Sequence, residues 1–190
     1  MGKRLFVAVD VDDPTRDAVD HLSRALRQDS AIQTLGRASW VSRDRMHLTL
    51  HFVADADAGT ERRVLDALGH LGRHSAFKLR FQGLGFFPER GAPRVLWLGI
   101  TEGLDELRAI HAELGRRLES GERSGETFQP HVTLARFRDR VPRGRVAEMA
   151  AFPAAAGPSR IDRVTLYESR LSPKGPIYTA VAQAALKAPL

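Results

Sequence analysis

The chain of 190 residues contains no cysteine. That excludes disulfides, thiolate metal sites and a cysteine nucleophile, and it fits a reducing compartment. Long apolar runs are missing as well: none approaches the ~20 residues that a membrane-spanning helix needs, so no membrane partner is expected. The N-terminal "MGKRLFVAVDVDD" starts basic, but its apolar run is short and acidic residues interrupt it, so it reads as a strand and not as a signal peptide. Acidic residues are the minority, with 29 Lys plus Arg against 23 Asp plus Glu and a formal net charge of +6. The basic side is almost all arginine, whose planar guanidinium grips phosphate oxygens in pairs. A GC-rich genome would leave the same bias, so charge alone decides nothing. What is present, 43% hydrophobic and 27% charged residues, is the balance of a soluble globular protein. A cytoplasmic monomer is expected, and the length suits a single domain over residues 1–190, built as one compact unit or as two small lobes on a shared core.

Periodicity sorts the chain into elements. Strands are predicted at residues 4–11, at "HLTLHFV", at residues 77–87 and 94–100, at "HVTLARF", at "SRIDRVTLYESRL" and at "IYTAVAQAAL". Helices are predicted from Pro14 to Gln28 with Asp13 as N-cap, over "AGTERRVLDALGHLGRH" with Thr60 as N-cap, over "GLDELRAIHAELGRRLES", and from Arg143 to Ala150. Hairpin-compatible strand pairs mixed with helices point to an α+β fold with mainly antiparallel sheets. A similar order of elements in each half hints at internal duplication.

Two stretches carry the chemistry. "MHLTLHF" and "QPHVTLAR" share a His-x-Thr-Leu core. In a strand, alternate side chains share a face. His47, Thr49 and His51 then stand on one face, opposite Leu48, Leu50 and Phe52; His131 and Thr133 stand opposite Val132 and Leu134. Imidazole titrates nearest neutrality, so one histidine can act neutral while another acts protonated. That pairing suits in-line displacement at a phosphodiester: a base deprotonates the nucleophile and an acid protonates the leaving oxygen. The threonine hydroxyls can hydrogen-bond the non-bridging oxygens where charge builds. Nothing in this scheme requires a metal or another cofactor, and no carboxylates flank both strands at ligand spacing.

The two motifs resemble the paired HxTx motifs of the 2H phosphoesterase superfamily. With "RLFVAV", "PRVLWLGI", "FQPHVTLAR" and "SRLSPKGPIY" in order, the chain is similar to the bacterial and archaeal RNA 2′,3′-cyclic phosphodiesterases, the LigT-like 2′-5′ RNA ligases. The resemblance implies a two-lobed, duplicated α+β fold with antiparallel sheets lining a central groove and helices outside. It implies RNA ends bearing a 2′,3′-cyclic phosphate as partner, opened to leave a 2′-phosphate. By position, His47 would protonate the leaving 3′ oxygen, His131 would activate water, and Thr49 and Thr133 would hold the phosphate. Arg136 and His51 would assist substrate binding. Strict alternation, however, turns Arg136 away from His131 unless the strand ends or twists there or the side chain reaches round its edge. The residues alone do not say which histidine is acid and which is base.

Other histidines (His21, His70, His74 and His111) fall on helices or helix ends without partner motifs and read as surface or capping groups. Trp40, Trp97, the "GLGFF" phenylalanines and Tyr178 read first as core. Two further functions share the motifs: 2′-5′ end joining or hydrolysis of a small cyclic nucleotide, and a groove that binds RNA ends without chemistry.

Overall fold

A computed structural model describes residues 2–33, 36–118, 128–142, 144, 146–173 and 175–188. Among these, nine strands form two sheets in which every pairing is antiparallel. The four-stranded sheet is ordered β3 (His47–Ala56), β1 (Lys3–Asp10), β8 (Arg163–Arg170), β9 (Ile177–Ala185). The five-stranded sheet is ordered β2 (Ala38–Trp40), β6 (Val132–Phe137), β5 (Val95–Glu102), β4 (Phe77–Phe87), β7 (Ala155–Ile161). Each sheet carries one His-x-Thr-Leu strand. Helices α3 (Ala58–His70) and α4 (Leu104–Leu118) pack on the first sheet, and α1 (Asp13–Gln28) and α5 (Val146–Ala150) on the second; α2 is the short turn Ser30–Gln33. No helix among the described residues is long and apolar enough to cross a membrane.

The elements follow the predicted periods closely. β4 buries Phe77, Leu79 and Phe81 while exposing Lys78, Arg80 and Gln82, the signature of a sheet with one face on the core. α4 buries Leu107, Ile110 and Leu114 along one stripe. The helix starts differ from expectation by a few residues. Asp12, not Asp13, caps α1 by accepting from Thr15 N–H at 3.0 Å, and Asp57, not Thr60, caps α3 by accepting from Thr60 N–H at 2.7 Å. Asp12 also accepts from Arg160 N–H at 3.1 Å while its own N–H donates to Ser159 Oγ at 2.8 Å, so the start of α1 is stitched to β7. The predicted helix start at Arg143 and the end of "GLDELRAIHAELGRRLES" beyond 118 lie outside the described residues.

Two strands escaped the sequence pattern. β2 has only three residues, too few to show a period. β7, "AAGPSRI", contains Gly157 and Pro158, which argue against a strand; it is tolerated because β7 is an edge that pairs only with β4. The expected single strand "SRIDRVTLYESRL" is really two: Ser159–Ile161 closes β7 in one sheet, and Arg163 opens β8 in the other. The switch falls at Asp162, whose carbonyl accepts from Leu186 N–H at 2.8 Å.

Candidate active site

The two motif histidines are held in the same way. His47 Nδ1 lies 2.8 Å from the Arg45 carbonyl and His131 Nδ1 lies 2.8 Å from the Gln129 carbonyl, in each case two residues earlier. A carbonyl only accepts, so Nδ1 carries the proton and Nε2 is left with its lone pair for the groove that both residues line. Each ring is also wedged between aromatic neighbours. His47 lies 4.8 Å from Phe6 and 5.2 Å, edge-on, from Tyr178. His131 lies 5.0 Å, edge-on, from Phe87 and 5.8 Å from Trp97. Such contacts fix ring orientation at about 0.5–1.5 kcal/mol each. They also exclude water: burial, the dominant influence, draws both imidazoles below their ordinary range, against the opposing pull of the carbonyl bonds. Trp97 requires a bare neighbour, since a Cβ on Gly85 would fall inside its ring.

Both motif strands carry a β-bulge at the same place. In β3, Ala8 pairs with Thr49 but Val7 pairs with His51, leaving Leu50 as the extra residue. In β6, Trp97 pairs with Thr133 but Leu96 pairs with Ala135, leaving Leu134 as the extra residue. Each bulge is the leucine of the His-x-Thr-Leu core, and each reverses the alternation beyond it. Arg136 therefore turns to the groove beside His131 and Thr133, which resolves the conflict that strict alternation raised. His51 moves the other way. It is only 8% exposed and is absent from the groove lining, where Phe52 takes its place, 49% exposed and covered by the Arg4 guanidinium at 5.5 Å. The expectation that His51 shares a face with His47 is corrected: the inserted Leu50 turns it to the core side.

The bulges are completed from outside the strands. A bulged carbonyl loses its ladder partner and, when buried, needs another. Leu134 O accepts from Val41 N–H at 2.8 Å, just past β2. Among the described residues no strand lies outside β3, and His111 on α4 fills that role, with Nδ1 2.7 Å from Leu50 O. The His111 ring stacks on Phe128 at 3.9 Å, one residue before the Gln129 that tethers His131. His111 thus braces both motifs and is not the surface residue expected. His74 caps the end of a short helical turn, as expected, and also lies 2.7 Å from the buried Glu113.

The groove has a volume of about 580 Å³. Its described lining holds Arg4, Arg45 and Arg136 with the two histidines and two threonines, and no carboxylate. Such a wall attracts an anion. Trp40 and Tyr178 line it too, so neither is purely core as expected, and Trp97 and Phe87 stand directly behind His131. The cluster behind His47 had no counterpart in the sequence patterns. There Asp10 accepts from Thr165 Oγ1 at 3.1 Å and from Tyr167 O–H at 2.9 Å to each oxygen, with Arg16 Nη2 at 3.5 Å. Burial, reinforced by Asp10, pushes the Tyr167 phenol up to about 12, so it remains a donor throughout the physiological range.

Comparison with known proteins places these features in a family. Residues 11–172 match the family model of the 2′-5′ RNA ligase superfamily. The chain is 30% identical over 175 residues to an RNA 2′,3′-cyclic phosphodiesterase of Archaeoglobus fulgidus, covering 92% of this chain and 96% of that one. It is 32% identical over 181 residues to an RNA 2′,3′-cyclic phosphodiesterase of Thermotoga maritima, covering 92% and 91%. Among solved structures, a Thermus thermophilus protein superposes with a TM-score of 0.79 at 27% identity, covering 97% of this chain and 98% of its own. E. coli LigT complexed with 3′-AMP superposes with a TM-score of 0.75 at 27% identity, covering 98% and 99%. A family model spanning most of the chain, full-length relatives and a shared fold agree: the chain belongs to the 2′-5′ RNA ligase superfamily, with LigT among its structural neighbours.

Proposed function

We propose that the protein hydrolyses RNA 2′,3′-cyclic phosphate ends to 2′-phosphomonoesters, using its paired HxTx motifs as general acid and base without a metal. The observation that carries this reading is the pair of Nδ1-tethered imidazoles whose free Nε2 atoms serve one arginine-lined groove. His131 takes a proton from water, the water oxygen attacks phosphorus, and the P–O3′ bond breaks as His47 protonates the departing oxygen. Thr49 and Thr133 donate hydrogen bonds to the non-bridging oxygens, and Arg136 neutralises their charge. The names of the full-length relatives support the substrate class, as does the 3′-AMP held by E. coli LigT. Among the described residues no group of three or more His, Asp or Glu stands together as a metal site. In this reading the whole chain is one domain, and its two sheets are pseudo-symmetric lobes, each contributing one histidine–threonine strand.

The superfamily's name supports a second reading. Joining a 5′-hydroxyl end through a 2′-5′ bond uses the same acid and base, with that hydroxyl in place of water. One assay separates the two: a cyclic-phosphate RNA incubated in EDTA, with and without a 5′-hydroxyl acceptor strand, followed by product analysis. Hydrolysis predicts a terminal 2′-phosphate with and without the acceptor strand. A 3′-phosphate would reverse the leaving group, a joined strand as the main product would favour ligation, and loss of turnover restored by a divalent ion would sink the metal-free mechanism.

A further inference from the structure

The two imidazoles share a backbone tether and an aromatic cage, yet the strands beside them differ. Asp10 is the direct cross-strand partner of His47. In the other sheet Trp97 opposes Thr133 and Leu98 opposes Val132, which brings Gly99 to the corresponding place beside His131. Cross-strand partners hold their Cβ atoms about 5 Å apart, so one histidine has a carboxylate as neighbour and the other has no side chain there at all. Asp10 is not free to swing into the groove, because Thr165, Tyr167 and Arg16 hold its oxygens from behind. Nor does it bond to His47, whose Nδ1 is engaged by Arg45 O.

We propose that Asp10 is a positioning residue for the proton donor: its fixed negative charge, set behind His47 and out of reach of substrate, stabilises the imidazolium there and makes His47 the acid and His131 the base. The assignment rests on the reaction proposed above. The groups packed around His47 differ in sign, and among those that act on its charge Asp10 is the negative one. β1 offers Asp10 and the Phe6 ring, β9 the Tyr178 ring, and β8 Tyr167, which reaches Asp10. The positive groups are Arg136 and a protonated His131 from the other sheet, Arg16 through its contact with Asp10, and Arg4 of β1 and Arg45, which line the same groove. Both Arg136 and a protonated His131 oppose charge on His47, and Asp10 is the negative group that favours it. At His131 the acting charge is Arg136, which disfavours the imidazolium and leaves the ring as acceptor.

The test is a titration of the histidine ring signals by NMR in the ligand-free wild type, Asp10→Asn and Tyr167→Phe, beside the pH dependence of kcat/KM. In Asp10→Asn the His47 midpoint is expected to fall by about 0.5–1 pH unit while that of His131 stays put, and the alkaline limb of kcat/KM moves down with it. Tyr167→Phe keeps the ring contact with Phe6 but removes a donor from Asp10. The carboxylate charge is then less dispersed, and the His47 midpoint should rise. An unchanged His47 midpoint in Asp10→Asn, or equal movement of both histidines, overturns the proposal. If Asp10→Asn does not fold, an unchanged or lowered His47 midpoint in Tyr167→Phe does so. The titration needs no substrate, so a wild type inert toward cyclic-phosphate RNA would overturn the proposed reaction and still leave the effect of Asp10 readable.

Discussion

β3 and β6 are two copies of one device that have been finished differently. Both tether a histidine through the carbonyl two residues back, present a threonine two residues on, and bulge at the motif leucine. Beyond the bulge they part: Phe52 faces the groove in one strand and Arg136 in the other, and His51 is buried where the second strand buries Ala135. Beside the histidines the contrast is Asp10 against the place of Gly99. In the proposed reaction the shared parts are those needed twice, a proton-transfer group and a hydrogen-bond donor to phosphate. In that reaction the unshared parts would give direction to a site that is otherwise symmetric.

The likeness of the two strands can be attacked first at what they share. His47→Ala and His131→Ala should each lower kcat by on the order of 100-fold or more, as the loss of a general acid or base does; near-wild-type turnover in either removes that strand from the chemistry. Thr49→Val and Thr133→Val should each cost about 10–100-fold in kcat, less than either histidine, measured on the same cyclic-phosphate RNA. Unequal losses from the two threonines would show that the phosphate sits closer to one strand. The unshared positions come next. Arg136→Ala should weaken kcat/KM about tenfold through a lost charged contact to phosphate, whereas Phe52→Ala should cost only a few-fold, the value of an exposed ring and its guanidinium partner. Smallest in kinetics are the residues behind the bulge. His51→Ala is expected to keep kcat within about twofold while lowering the unfolding temperature, and His111→Ala to lose about 1–3 kcal/mol of stability by stranding the Leu50 carbonyl. A tenfold fall in kcat for His51→Ala at unchanged stability would return that residue to the groove.

Much of this was legible in the sequence. The alternation of "HLTL" and "HVTL" correctly put each histidine with its threonine and each leucine on the core, because the local period holds up to the bulge. It failed one residue later, in opposite directions for His51 and Arg136, since a bulge is set by pairing with β1 and β5 and leaves no mark in the strand's own composition. The Asp10 cluster was invisible for a similar reason. Its donors come from Thr165 and Tyr167, some 155 residues away along the chain, and only the antiparallel pairing of β1 with β8 brings them together. The switch of sheets at Asp162 was hidden because apolar residues continue on both sides of it.

If His47 and His131 act as one acid–base pair, the pH dependence of kcat/KM must carry the mark of both. Burial holds both imidazoles below their ordinary range in the free protein. The signs are then fixed: activity falls on the acid side as His131 gains a proton, and falls on the alkaline side as His47 loses one. The wild type should show a bell with its optimum below pH ~7. The residual activity of His131→Ala should lack the acid limb, and that of His47→Ala the alkaline limb. A bell that keeps both limbs in either variant would refute the pairing.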